Sequence, residues 1–240
     1  MQQPLPWTIS PWPHNLSQQA SGNPGAVQTE NQDASPMTDI LTIEQLEEIY
    51  GTTPALASTA KEADALTPEY RRLVESSPFA ALATVGPEGL DCSPRGDERE
   101  VVRVVDARTV ILPDRRGNNR IDSLRNIVRD PRVALLFLIP GSGTTFRISG
   151  LATISADAEL LASLAVEGKQ PRTAIIIKIT TCYFQCARAV LRAKLWNPAH
   201  WPDHEQLPSP GQILEAMTVR EIDGRGYDAD WPGRAAASMW

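Results

Sequence analysis

Six short segments rich in apolar and β-branched residues dominate the middle of the chain, separated by turns rich in glycine, proline, aspartate and asparagine. Segments of this length and composition predict β-strands rather than long helices. The predicted strands cover residues 79–85, 101–105, 109–112, 133–139, 145–155 and 174–183. Only one connection between them suits a parallel βαβ crossover. The pattern therefore indicates a closed antiparallel barrel with flanking helices, a mostly-β member of the α+β class.

Glycines mark two features of these strands. The sequence Gly86-Pro-Glu-Gly predicts a hairpin turn directly after the first strand. Gly150 lies inside the fifth strand, between Ile148 and Ile154 of its apolar face. Glycine inside a strand is typical of a bulge, or of a place where another group approaches the backbone closely.

Helical periodicity and capping residues predict six helices. Their ranges are 41–50, 68–76, 118–129, 157–166, 186–195 and 213–219. Asn118 is the predicted cap of the third helix, and Ser155 or Asp157 that of the fourth. Proline and glycine are frequent beyond residue 202, so the last helix is the only element expected there.

Three regions follow from this pattern. Residues 1–36 carry six prolines among Gln, Ser, Asn and Gly, which predicts a disordered tail. Residues 37–201 form the predicted folded domain, and residues 202–240 a loosely structured extension. Met37 stands just before the first helix, so we expect residues 1–36 to be an upstream extension that is absent from the native protein.

Composition narrows the classes of function. A net charge of −6 argues against general nucleic-acid binding. The first 60 residues contain no Lys or Arg, and no apolar run is long enough to cross a membrane, so we expect neither a signal peptide nor a membrane span. Three cysteines in 240 residues predict a reducing compartment, the cytoplasm.

Side-chain chemistry for catalysis is sparse. The three histidines lie in or near the chain ends, which argues against a metal site and against histidine acid–base catalysis. Cys182 and Cys186 are expected to pack in the core. No nucleophile–base motif is present, so the catalytic residues stay unassigned and a cofactor is expected to carry any reaction.

Three arginines, Arg115, Arg116 and Arg120, stand between a predicted strand and the predicted start of a helix. Guanidinium groups and free amide hydrogens at a helix start favour an anion, so this turn is either a phosphate cradle or an exposed, solvated loop. Arg95 and Arg147 either approach the same anion or are surface ion-pair residues.

Four motifs together resemble one family. They are Ser93-Pro-Arg-Gly-Asp, the stretch from Leu112 to Asn126, the stretch from Pro131 to Gly141, and Arg147-Ile-Ser-Gly. They resemble the pyridoxamine 5′-phosphate oxidase-like flavoproteins, and more narrowly a bacterial subfamily with the Ser-Pro-Arg-Gly-Asp signature. The resemblance implies a six-stranded split β-barrel that binds FMN at the interface of a homodimer.

The resemblance also implies the FMN contacts. The turn that would hold the phosphate and ribityl chain comprises Pro113, Asp114, Arg115, Arg116, Asn118, Asn119 and Arg120. Arg95 and Arg147 would add further contacts. The late segment would reach the partner's flavin through Arg192, Lys194 and Trp196.

Two departures from the family pattern argue against vitamin B6 synthesis. The strand before the arginine turn lacks the family's lysine, and the basic, histidine-bearing C-terminal segment is absent. We therefore expect an FMN-dependent oxidoreductase acting on another small molecule. The alternative is a non-catalytic protein that binds flavin, the deazaflavin F420 or haem.

Overall fold

The computed structural model describes residues 39–51 and 53–238. The predicted tail, residues 1–36, lies outside the described residues. The chain divides into two units, residues 1–53 and 54–240, and the described part of the first contains helix α1, Ile43–Tyr50. Thr42 caps this helix, because its hydroxyl accepts from the Gln45 backbone amide and the Gln45 side chain accepts from the Thr42 backbone amide.

The second unit is built on one antiparallel sheet of seven strands. Its strands are β1 Phe79–Gly86, β2 Gly89–Gly96, β3 Arg103–Asp106, β4 Thr109–Asp114, β5 Arg132–Leu138, β6 Thr145–Ser155 and β7 Thr173–Gln185. They lie in the order β2-β1-β5-β6-β7-β4-β3. The α+β class is as predicted. The prediction of six strands in a closed barrel is corrected, because there are seven and no described backbone pairing joins β2 to β3.

The additional strand is β2. It was missed because its inner face carries Asp91, Ser93 and Arg95 instead of apolar side chains, and because Pro94 interrupts it. The structure tolerates that proline because β2 is the edge strand of the sheet and pairs only with β1.

Eight helices accompany the sheet in this unit. They are α2 Leu56–Thr59, α3 Pro68–Glu75, α4 Asp122–Arg129, α5 Ala158–Ser163, α6 Arg188–Arg192, α7 Pro210–Met217, α8 Gly224–Ala229 and α9 Trp231–Ser238. The sequence predicts only one helix beyond residue 202, whereas the structure has three. α7 and α8 are able to approach closely because Gly211 and Gly224 face each other: a Cβ atom on either would collide with the other's backbone.

The core lies on the concave face of the sheet. A row of side chains is almost completely buried there: Leu82 of β1, Phe137 of β5, Phe146 and Ile148 of β6, and Ile177 of β7. Burying each such side chain contributes roughly 1.5–3 kcal/mol, so this row stabilises the curled sheet. The predicted hairpin turn is confirmed, since Gly86 pairs with Gly89. The prediction for Gly150 is also confirmed: the register shifts between Ser149 and Gly150, and a Cβ atom on Gly150 would collide with the Lys178 carbonyl oxygen.

No helix among the described residues is long and apolar enough to cross a membrane.

Candidate functional site

A polar cleft of about 210 Å³ opens where the inner face of β2 meets the end of β4 and the start of α4. Its lining contains five arginines, Arg95, Arg115, Arg116, Arg120 and Arg172, and three aspartates, Asp91, Asp114 and Asp122. Ser93, Gly117, Asn118, Asn119, Ile121, Ser123 and Leu124 complete the wall. The surplus of arginine gives the cleft a positive charge, which suits an anion.

A chain of hydroxyl hydrogen bonds holds α4 against β2. The Ser123 hydroxyl donates to the Asp91 carboxylate at 2.6 Å, so the Ser93 hydroxyl must donate to Ser123, at 3.0 Å. Further along the helix, the Asn126 amide donates to the Thr84 hydroxyl at 3.1 Å in a buried contact. These bonds explain why polar residues line the inner face of β2: they position the helix start that forms one side of the cleft.

The loop into α4 has an uncommon backbone. Asn119 and Ile121 adopt positive φ angles of 60° and 54°. For a β-branched residue such as Ile121 this conformation is a genuine outlier, and such strain clusters at ligand-binding sites. The helix begins at Asp122, with Ile121 as its cap position and no side-chain cap bond. The prediction that Asn118 caps it is wrong: the Asn118 side chain accepts from the Arg120 amide at 3.1 Å.

Two of the arginines are fixed by carboxylates across the opening of the sheet. Arg95 donates to Asp114 at 2.8 Å, and the Arg115 guanidinium lies 2.8 Å from the Asp97 carboxylate and donates to the Leu164 carbonyl at 2.9 Å. All four charged side chains are 18–20% exposed. Because β2 and β4 have four strands between them in the sheet, these pairs show that the sheet curls until the end of β2 lies beside the end of β4.

The other three arginines stand on the exposed rim. Arg120 donates to Asp122 at 2.7 Å, but its side chain is 75% exposed. Arg116 contacts the Ala237 carbonyl at 3.4 Å, and Arg172 donates to the Asn119 side-chain oxygen at 3.2 Å. These three guanidinium groups are therefore free to turn towards a ligand.

The cleft brings together seven of the residues predicted to bind FMN. They are Arg95, Asp114, Arg115, Arg116, Asn118, Asn119 and Arg120. Pro113, at the adjacent position of β4, is buried and lines a neighbouring cavity instead.

Arg147 does not share an anion with Arg95 within one subunit. Arg95 pairs with the buried Ala80 on the concave face, whereas Arg147 pairs with the exposed Leu136 on the opposite face of the sheet. There its guanidinium lies 5.4 Å from the centre of the Tyr183 ring. Lys61 lies over the same ring at 5.5 Å, so both cations share one aromatic contact.

The three residues of the late segment lie outside the cleft of the same chain. Arg192 ends α6 and is exposed, and Lys194 lies 3.2 Å from the His200 ring. The Trp196 indole donates to the Ser142 carbonyl at 2.7 Å, which ties the segment to the loop after β5. Their predicted role at a partner's flavin stays a prediction.

Sequence reasoning missed several residues of the cleft, above all Asp91, Ser93, Ser123 and Arg172. The alternation of polar residues along β2 is a signal that could have identified the first two. Nothing local marks Arg172, because it reaches the cleft from the loop before β7.

The cysteines lie apart from the cleft. Cys182 is buried as predicted, and burial raises the pKa of its thiol from the ordinary 9.0 to about 11, with a smaller contribution from Asp64. Cys186 is exposed, so its predicted place in the core is wrong. Within the described part of the chain, no group of three or more His, Cys, Asp or Glu side chains is placed to hold a metal ion.

Comparison with known proteins gives one sequence match. The family model for pyridoxamine 5′-phosphate oxidase matches residues 66–186, just over half of the chain, and this range contains every residue that lines the cleft. No curated protein sequence matches the chain.

The chain is also similar to several solved structures. HupZ of Group A Streptococcus is 20% identical, with 49% of this chain and 91% of that chain covered and a TM-score of 0.39. A Clostridium acetobutylicum protein related to general stress protein 26 is 16% identical, with coverages of 49% and 86% and a TM-score of 0.40. An F420 reductase is 20% identical, with coverages of 50% and 98% and a TM-score of 0.38.

Proposed function

The chain belongs to the pyridoxamine 5′-phosphate oxidase family, and from this premise we propose that it binds FMN and acts as an FMN-dependent oxidoreductase on a small molecule. The observation that carries the proposal is the arginine-lined cleft, which lies inside the matched region. Its chemistry fits the phosphate of a flavin mononucleotide better than a neutral ligand, because its walls carry more arginines than aspartates.

The residues present fit the phosphate end of FMN. Three exposed guanidinium groups border the cleft, and the strained backbone of Asn119 and Ile121 shapes the loop between them. Arg95 lies beneath them, where its guanidinium donates to Asp114, so it supports the wall of the cleft.

The cleft does not hold a whole flavin. At about 210 Å³ it is smaller than the roughly 300–1,000 Å³ typical of pockets for ligands of that size. One subunit would therefore bind the phosphate and part of the ribityl chain, and the ring would need a further wall. A second copy of the chain supplies that wall in this proposal, and Arg192, Lys194 and Trp196 are the candidates for it.

The outer face of the sheet supports a homodimer. It carries a shallow groove of about 480 Å³ whose lining includes Ala83, Val85, Leu90 and Leu151. Leu90 is 87% exposed and Leu151 48% exposed. Apolar side chains gathered on an exposed sheet face are typical of a protein–protein interface.

The chain's own contribution to the chemistry is binding and orientation. FMN, when bound, supplies a ring that accepts and returns hydride. Among the described residues that line the cleft there is no histidine, lysine or cysteine, and both serine hydroxyls are engaged in the hydrogen-bond chain to Asp91 that holds α4. The arginines would fix the phosphate, and α4 would fix the position of the loop beside it.

Titration of the apoprotein with FMN, followed by flavin fluorescence, tests the proposal. An Arg120→Ala variant is expected to bind more weakly by roughly 1–3 kcal/mol, the cost of a lost charged hydrogen bond. The matched control is Arg125→Ala, an exposed arginine of α4 outside the cleft lining. Binding that is absent in the wild type, or equal in all three proteins, would refute the assignment of the cleft.

An anaerobic screen then separates a catalyst from a carrier. Small reduced metabolites are added to the FMN-bound protein, and the visible flavin absorption is followed. Bleaching by one substrate class supports the oxidoreductase, whereas a flavin that none of them reduces favours a non-catalytic flavin-binding protein.

A further inference from the structure

The five arginines of the cleft differ in whether a carboxylate already neutralises their charge. Arg95 and Arg115 are each bound to a carboxylate, in pairs whose side chains are about four-fifths buried. A guanidinium committed in this way cannot turn towards a ligand without leaving Asp114 or Asp97 buried and unpaired, which is costly. These two arginines therefore hold the end of β2 against the end of β4 and do not turn towards a ligand.

Arg172 and Arg116 have only neutral acceptors. Arg172 donates to the Asn119 side-chain oxygen at 3.2 Å, and Arg116 contacts the Ala237 carbonyl at 3.4 Å. Neither forms an ion pair in the part of the chain that the structure describes. Arg120 is intermediate, because Asp122 accompanies it in an exposed pair of the kind that contributes little.

The position of Arg172 adds a second argument. It comes from the loop before β7, whereas Arg116 belongs to the loop after β4, and both line the same cleft. Its bond to Asn119 holds it beside the residue whose positive φ shapes the opposite loop. Two guanidinium groups from separate loops match the double negative charge of a phosphate monoester, which accepts several charge-assisted hydrogen bonds.

We propose that Arg172 and Arg116 form the clamp that binds the phosphate monoester, while Arg95 and Arg115 serve as structural ion pairs. This inference rests on the proposed function, and it identifies a binding residue, Arg172, that lies far in sequence from the arginine turn. It makes the clamp a determinant of specificity: removing either side chain should reduce the protein's preference for FMN over riboflavin, which lacks the phosphate.

The test compares the affinities of an Arg172→Met variant for FMN and riboflavin. We expect FMN to bind about tenfold to a hundredfold more weakly, because a charged hydrogen bond is lost, and riboflavin to bind as it does to the wild type. An Arg172→Lys variant keeps the charge without the planar fork and should recover part of the FMN affinity. Arg129→Met, which removes an exposed arginine paired with Glu88 outside the cleft lining, is the matched control and should change neither affinity.

Three results would overturn the clamp. They are an unchanged FMN affinity in Arg172→Met, an equal loss of FMN and riboflavin affinity, and an equal effect of Arg129→Met. A variant that fails to fold is identified by its melting temperature, and Arg172→Lys then decides the question.

Inorganic phosphate separates failure of the clamp from failure of the proposed function. If the wild type binds neither flavin but phosphate raises its melting temperature, and Arg172→Met abolishes that rise, the FMN proposal fails and the anion clamp stands. If phosphate does not stabilise the wild type and no flavin binds, both proposals fail.

Discussion

The guanidinium of Arg95 donates to the carboxylate of Asp114 at 2.8 Å, although four strands lie between β2 and β4 in the sheet. A side-chain hydrogen bond thus joins β2 to β4, which no backbone pairing connects directly. The Asp97–Arg115 pair repeats the contact with its charges reversed. The two pairs hold the wall of the cleft, so the fold and the candidate site depend on the same residues.

Breaking this contact should lower the free energy of unfolding. In Arg95→Met the Asp114 carboxylate, with a side chain 19% exposed, loses its charged partner, and we expect a loss of about 1.5–3 kcal/mol. Urea denaturation measures the change, and adding Asp114→Asn should recover part of it. Arg132→Met is the control, because the Arg132 side chain, which pairs with Asp130, is 68% exposed. If the two substitutions in the cleft are simply additive, the pair is not coupled and the account of the opening is wrong.

The bulge in β6 should not accept a side chain. A methyl group on Gly150 would collide with a carbonyl oxygen of β7, which cannot move without disturbing the sheet. We expect Gly150→Ala to reduce the free energy of unfolding by about 1–3 kcal/mol. Gly117→Ala places its methyl group in open space, with nothing within 4 Å, and should stay within about 0.5 kcal/mol of the wild type. Equal stability of the two variants would contradict the close approach at Gly150.

The three thiols should differ in reactivity. Alkylation of the native protein at neutral pH is expected to label the exposed Cys92 and Cys186 and to spare the buried Cys182 until the protein unfolds. Mass analysis of the peptides measures this. Labelling of Cys182 in the native state at the rate of the other two would show that the strand around it is open.

Cys182 should also make stability depend on alkaline pH. Its pKa is raised from the ordinary 9.0 to about 11, so between these values the unfolded chain loses a proton that the folded chain keeps. Folding stability is therefore fully present below pH 9 and falls as the pH rises towards 11. The half-buried hydroxyl of Tyr70, whose pKa is also raised by its partial burial, adds a loss in the same direction. A Cys182→Ala variant should show a shallower fall than Cys186→Ala, and equal slopes would refute the assignment.

The apolar outer face predicts the oligomeric state. Leu151→Asp introduces a charge into that face and should convert a dimer into a monomer, as measured by light scattering after size-exclusion chromatography. Val128→Asp changes an equally apolar side chain, 78% exposed on α4 and outside the groove, and should leave the dimer intact. A wild-type monomer, or a dimer that survives Leu151→Asp, would contradict the proposed interface.

Local signals in the sequence predicted local structure well. The hairpin turn at Gly86 and the bulge at Gly150 follow from properties of single glycines, and Asp157 caps α5 because its side chain accepts from the Leu160 amide. Strand β2 was missed for a tertiary reason. Its polar inner face is stabilised by partners, Ser123 and Asp114, that belong to distant elements of the chain.

The site was predictable where its residues are contiguous. The turn from Asp114 to Arg120 lines the cleft, as a run of arginines before a helix suggests. The place of Arg172 in the cleft depends instead on the position of the loop before β7. That Arg147 points to the other face of the sheet depends on strand pairing. Neither can be inferred from the neighbouring residues in the sequence. The same holds for the charge balance: sequence alone does not show that Arg95 and Arg115 are already paired.

The most direct test of the central claim is the absorption spectrum of the purified full chain, with mass analysis of any ligand released by heat. The account predicts the two visible bands of a flavin and a released ligand with the mass of FMN, or the appearance of those bands when FMN is added to colourless protein. A Soret band would place the protein among haem binders, and a colourless protein that takes up no FMN would contradict the account.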